Sequence, residues 1–179
     1  MEKKELEVSQ QKVFMHLAES FEKADTFCVI VPKDDAGVAD TLVVQHTQLG
    51  DKAEEALGEY YFFPLTEEDM LYQYFVCSIT LSEDIEPERR DALEKAIGRI
   101  NFALPLGAFR MDTEGKLLCF RYTLMMEAEK DVDQMELMVR SAMVNSLQTV
   151  SRWADLLDGL EYGRTTFKEF EKIFNKMSL

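Results

Sequence analysis

The sequence is short of the residues from which most active sites are built. Its 179 residues include two histidines, three cysteines and one tryptophan. The eight glycines are scattered, so neither the dinucleotide-binding pattern nor the P-loop pattern occurs. A Gly-x-Ser-x-Gly nucleophile elbow is likewise missing. Cys28, Cys77 and Cys119 are odd in number and far apart, unlike the close pairs of a zinc site or an extracellular disulfide framework. Each lies in a strand-like run, so buried free thiols in a reducing cytoplasm are expected. No apolar run is long enough to span a bilayer. The opening Met-Glu-Lys-Lys-Glu leads into a polar helix and not a secretion leader.

Positive charge is scarce too. Twenty Lys and Arg face 34 Asp and Glu, for a net charge of −14. The imbalance is local: from Lys33 to Glu88, only Lys33 and Lys52 stand against 14 carboxylates. Nucleic acid and anionic membranes would be repelled by such a chain, whereas a basic protein segment is favoured. The same charge also serves plain solubility.

What remains is an ordinary globular composition, 46% hydrophobic and 30% charged, with enough chain for one domain over residues 1–179. Glu2 to Lys23 reads as a helix with Val13, Phe14, Leu17 and Phe21 on one face, ended by Asp25 and Thr26. Phe27 to Val31 is a continuous apolar run closed by Pro32, which suits a buried strand. A turn from Lys33 to Asp40 leads to a second strand, Thr41 to Thr47. Gln48 to Glu59 is charged and short of bulky residues, so a loop or short exposed helix is expected there. Tyr60 to Phe63 is a third strand, and Thr66 to Asp69 an acidic turn.

Leu71 to Leu81 alternates clearly. Leu71, Phe75, Cys77, Ile79 and Leu81 share a core-facing side with Gln73. Tyr72, Tyr74, Val76, Ser78 and Thr80 form a second, amphipathic side suited to a covering helix or another molecule. Pro87 occupies a first helical position, and Leu93, Ala96, Ile97 and Ile100 follow at the spacing of one helical face. Pro105 and Gly107 break the chain before a strand at Ala108 to Met111, a turn at Asp112 to Gly115, and an alternating strand from Lys116 to Met126. A helix from Asp131 to Leu160 would be about 45 Å long, capped by Asp131 with Gln134 and ended at Gly159. Its stripe is Met135, Val139, Ala142, Val150, Trp153, Leu157 and Leu160, while Leu137, Val144 and Leu147 fall off it. Thr166 with Glu169 caps a last helix through Phe167, Phe170, Ile173 and Phe174. The result is an α+β fold, an antiparallel sheet packed by helices in the order α-β-β-β-β-α-β-β-α-α.

At Ile100-Asn101, Leu104-Pro105-Leu106-Gly107, Phe109, the Asp112 to Gly115 turn, Leu118, Phe120, Tyr122 and Trp153, the chain resembles the YbjN-like group associated with bacterial sensory transduction. The element order also looks like the type III secretion chaperone-like fold. The resemblance covers about the last half of the chain. It implies a small acidic protein of a superfamily whose chaperones are typically dimers holding extended client segments, and it carries no catalytic residue onto these positions.

Candidate chemistry is thin. His16 and His46 are alone in their segments, and His46 continues the Leu42/Val44 face, where a hydrogen-bonded structural histidine is expected. The clusters Asp34-Asp35, Glu67-Glu68-Asp69 and Glu83-Asp84 lack the spacing and central glycine of a calcium loop and read as solvated turns. Six of the ten methionines fall between Met111 and Met143, which suits either a core or an adaptable apolar surface. Trp153 fits core packing or a dimer seam. The expectation is a non-catalytic, cytoplasmic protein- or peptide-binding module, chaperone-like or regulatory, that forms a homodimer and takes a basic partner. No cofactor, metal, nucleic acid or membrane is expected. Tyr72, Tyr74, Val76, Leu137, Val144 and Leu147 are the candidate partner or dimer surface. The alternatives are a sensor domain with a small ligand between helix and sheet, and an enzyme without a recognisable motif.

Overall fold

A computed structural model describes residues 3–33, 39–52, 54–64 and 71–177. Along it run α1 (Lys3–Lys23), β1 (Cys28–Val31), β2 (Thr41–Leu49), β3 (Glu54–Phe62), β4 (Tyr72–Ser82), α2 (Pro87–Ala103), β5 (Ala108–Met111), β6 (Leu118–Glu127), α3 (Val132–Glu161) and α4 (Phe167–Met177). The element order is the one expected. The acidic turn at 66–69 and most of the turn between Lys33 and Asp40 lie outside the described residues. The six strands form one antiparallel sheet in the order β1-β2-β3-β4-β6-β5. By contact density the chain divides into two units.

The first unit comprises residues 1–46, 57–78 and 122–145. Its core is a single cluster. Val13, Phe14 and Leu17 of α1 and Met135, Val139, Ala142 and Met143 of α3 pack with Leu42, Val44, Tyr60, Phe62, Phe75 and Cys77. The two helices therefore cover the same face of the sheet. Phe14 meets Phe62 at 5.4 Å between ring centroids, and Phe62 meets Phe75 at 5.2 Å. Each fully buried side chain of this size contributes about 1.5–3 kcal/mol, so these rings are the main fastening of α1 to the sheet. Helix α1 ends where expected, because Asp25 turns left-handed (φ 54°) and the Thr26 amide returns to the Phe21 carbonyl at 2.9 Å.

The second unit comprises 47–56, 79–121 and 146–179. Pro87 is the first residue of α2, and Leu93, Ala96, Ile97 and Ile100 are buried along it. Phe109 of β5 and Phe120 of β6 meet edge to face at 5.1 Å. Asp112 Oδ1 accepts the amides of Lys116 and Leu117, closing the turn between those strands. The apolar stripe of α3 continues here as Val150, Trp153, Leu157 and Leu160, all buried, and α4 lays Phe174 against Trp153 at 5.5 Å. Thr166 and Glu169 form the reciprocal cap of α4: the Thr166 amide donates to Glu169 Oε2 at 2.8 Å, and the Glu169 amide to Thr166 Oγ1 at 3.3 Å.

Three expectations are corrected. Residues 54–59 are not a loop or helix but the first part of β3, which runs nine residues. Their alternation is disguised because the inward positions are the small Ala56 and Gly58. Helix α3 does not end at Gly159. It continues to Glu161, and the left-handed stop is Gly163 (φ +67°). Finally, Phe27 to Val31 is not a fully buried strand. It is the outermost strand of the sheet, and Phe27, Val29 and Val31 are exposed.

Candidate interaction face

The sidedness of the first unit follows from strand geometry, since successive side chains point to opposite faces. In β1 and β2, Val29 pairs with Val43 and Ile30 with Leu42, so Phe27, Val29, Val31 and Val43 lie on one side and Leu42, Val44 and His46 on the other. Leu42 and Val44 are buried against α1 and α3, and His46 is buried as well. On β3, Tyr60 and Phe62 point inward, leaving Leu57, Tyr61 and Phe63 outward. On β4, Phe75 and Cys77 point inward, leaving Tyr72, Tyr74 and Val76 outward.

The outward side is apolar yet open to solvent. Phe27 is 65% exposed, Val29, Val31, Phe63 and Tyr72 each between 43% and 45%, and Met125 of β6 55%. Val43, Tyr61 and Tyr74 are half-buried. Scattered exposed hydrophobics are ordinary, but a contiguous set on neighbouring strands marks an interaction surface. The carboxylates described on this side in the first unit are Glu59 and Glu127, and Lys130 Nζ lies 3.4 Å from Glu127 Oε2.

The six residues expected at a partner surface do not come together. Tyr72 and Tyr74 lie on the outward sheet side. Val76 is a correction: it is only 1% exposed, hemmed in on a strand that lies between β3 and β6, so it cannot meet a partner. Leu137 and Val144 are exposed but sit on the outer side of α3, a helix that covers the inward sheet side. Leu147 is half-buried. The residues that sequence reasoning missed are Phe27, Val29 and Val31. A short apolar run closed by proline is a signature of an edge strand as well as of a buried one.

The titratable groups are accounted for locally. His46 Nε2 lies 2.7 Å from Tyr60 Oη, as a structural histidine on the Leu42/Val44 face should. Burial lowers its pKa to about 4 and pushes the Tyr60 phenol well up. His16, alone in its own segment, meets a residue of α3: its Nδ1 lies 2.7 Å from Glu136 Oε2. Arg140 binds the other oxygen of Glu136 at 2.7 Å and donates to Ser20 Oγ at 2.6 Å. Burial raises the Glu136 pKa, but hydrogen bonds and charge from His16 and Arg140 outweigh it and hold the group below its usual range. Serine, histidine and glutamate thus lie together without the order of a catalytic triad, for Ser20 Oγ donates to the His16 backbone carbonyl at 2.9 Å. The cluster ties α1 to α3. Among the described residues, no group of three or more His, Cys, Asp or Glu could hold a metal ion, and no helix is long and apolar enough to cross a membrane.

Fold and surface together define a six-stranded α+β protein whose first unit has one helix-covered sheet side and one open apolar side. The chain belongs to the YbjN family, described as "Putative bacterial sensory transduction regulator", whose family model matches residues 36–154. No curated protein matches it. Among solved structures it is similar to YbjN from E. coli, with 9% identity, a TM-score of 0.43, and coverage of 78% of this chain and 89% of that one. It is also similar to an uncharacterized protein from Methanothermobacter thermautotrophicus, with 12% identity, a TM-score of 0.43, and coverage of 83% and 99%.

Proposed function

We propose that this chain is a non-catalytic regulatory module that binds a protein segment on the outward side of the first-unit sheet. The observation that carries the reading is the run of exposed apolar side chains Phe27, Val29 and Val31 on the outermost strand, continued by Val43, Phe63 and Tyr72. The partner segment is apolar with basic flanks. Burial of its apolar side chains supplies affinity, and the carboxylates of this side and of the wider 33–88 stretch select the flanks. A second copy of the chain is one source of such a segment, so self-association belongs to the same proposal.

Two fluorescent peptides test it, sharing one alternating Val/Phe core and flanked by lysines in one and glutamates in the other. Anisotropy should show binding of the lysine-flanked peptide, weaker binding of the other, and a loss of about tenfold or more in the Val29→Lys and Tyr72→Lys variants. Equal affinity for both peptides, or binding untouched by both substitutions, would overturn the reading.

A further inference from the structure

Helix α4 covers part of the second unit with one aromatic face. Phe167, Phe170 and Phe174 recur at i, i+3 and i+7, and their rings stack in sequence at 5.8 and 5.7 Å between centroids. Phe170 and Phe174 are buried, while Lys168, Lys172 and Lys176 face solvent. The seat is made by α2 and α3. Phe174 lies against Trp153 at 5.5 Å. Arg152 stacks on the same indole at 5.4 Å and donates to the Met177 carbonyl at 3.0 Å, and Arg99 holds Glu171 at 3.2 Å. An aromatic ring and two cations thus receive aromatic anchors, a carboxylate and the carbonyl end of a helix, which carries partial negative charge.

Helix α4 is lightly held. Its 11 residues are too few to keep a helix in water without tertiary support, so it depends on its seat. The ties from Arg99 and Arg152 lie at the surface, where such pairs compete with water. In this docked state Trp153 Nε1 is buried with no hydrogen-bond partner in the protein. A buried donor left so is unfavourable, and lifting α4 off the indole would relieve it. The hinge for that motion is built in. Gly163 turns left-handed (φ +67°) just beyond α3, and the Thr165 amide is fixed on the Gly159 carbonyl at 2.8 Å. A lifted α4 therefore stays tethered beside its seat.

We propose that this seat is a receptor for an amphipathic helix of another protein, and that α4 is its resident competitor. The incoming helix is built as α4 is. It has aromatic anchors at i, i+3 and i+7, a carboxylate directly after the second anchor to meet Arg99, and a last turn whose carbonyls meet Arg152. Binding requires α4 to give way, which closes the seat to weak partners. The site lies within the second unit and does not depend on the sheet surface proposed above.

The probe is a fluorescent peptide of residues 165–179, titrated into the full unmodified chain and into Phe174→Ala, whose own α4 has lost its contact with Trp153. Anisotropy should show about tenfold tighter binding to the variant, because its seat is open more of the time. A peptide that itself carries Phe174→Ala should not bind. Trp153 is the only tryptophan, so its emission should shift to the red in the variant and return when unlabelled intact peptide is added. In the unmodified chain, amide hydrogen exchange should be faster in α4 than around Trp153 in α3, since α4 opens alone. No binding to the variant, equal affinity for the two chains, or binding that leaves the Trp153 emission unmoved would overturn the proposal. So would α4 amides as protected as those of α3, or a Phe174→Ala chain that loses its whole fold, because α4 would then be part of the core.

Discussion

His46 and Tyr60 face each other from adjacent strands, Nε2 to Oη at 2.7 Å, with their rings edge to face at 5.9 Å between centroids. Tyr60 is fully buried and stacks parallel to Phe75 at 6.3 Å. The pair is therefore a polar contact enclosed in an apolar layer, where a neutral imidazole is tolerated and a charged one is not.

This sets a pH dependence of known sign. The folded-state pKa of His46, about 4, is below the value near 6.5 of an unfolded histidine. The unfolded chain takes up the proton first, so the stabilising effect is complete above pH 6.5 and is lost as pH falls towards 4. The ceiling is about 3 kcal/mol. Urea denaturation at pH 7.5, 6, 5 and 4 should show a steeper decline for the unmodified protein than for His46→Gln, which cannot titrate. Parallel curves for the two would refute the assignment.

Gly58 sits over this pair. A Cβ there would fall 2.6 Å from His46 Nε2 and 2.7 Å from both Cε2 and Oη of Tyr60. On a strand, alanine ordinarily outperforms glycine, yet Gly58→Ala should destabilise by about 1–3 kcal/mol through overpacking. In a His46→Ala background the cost should shrink in part, because one of the two obstructing rings is gone. A double-mutant cycle by chemical denaturation measures that coupling; additive effects would show that the ring is not the obstacle.

The same glycine explains why β3 is half hidden in the sequence. Strand patterns are legible when inward positions carry bulk, as in Leu118, Phe120 and Met126 of β6, whose burial alternates as expected. Gly58 is small because His46 and Tyr60 already fill the space, and that fact resides in tertiary structure. Helix α3 is legible along its stripe, from Met135 to Leu160, because apolar residues sustained at helical spacing leave no other period. Its end is not, since Gly159 accommodates Thr165, whose Oγ1 lies 2.6 Å from where a Cβ would be, and glycine in that role looks like a stop signal. The outward sheet side is only partly legible. Tyr72 and Tyr74 can be placed by alternation, but Val29 and Val31 need knowledge of which strand lies outermost.

The cysteines differ in accessibility, and alkylation should resolve them. Cys77 is fully buried, so in the native protein it should resist iodoacetamide at pH 8 until the chain unfolds. Cys28 is half-buried, and burial followed by the nearby Glu22 carboxylate raises its thiol pKa, which depletes the reactive thiolate. Its labelling should be slower than in the denatured chain and should quicken in Glu22→Gln. Peptide mass spectrometry over a time course reads both sites. Native labelling of Cys77 at the denatured rate would contradict its placement in the core.

Asn101 carries the last prediction. Its amide offers Phe109 an acceptor and a donor at once, so Asn101→Ala should cost about 1–3 kcal/mol by leaving both partners unsatisfied. Asn101→Asp is more telling. An ionised carboxylate still accepts the Phe109 amide but has no proton for the Phe109 carbonyl, so the two oxygens repel. That carboxyl should have a raised folded-state pKa, and the variant's deficit should be largest near neutrality and should shrink as pH falls and the acid is protonated in the folded state. Denaturation midpoints at pH 7 and pH 4, each relative to the unmodified protein, decide it. A deficit of equal size at both pH values would show that the bond to the Phe109 carbonyl contributes little to holding the loop between α2 and β5.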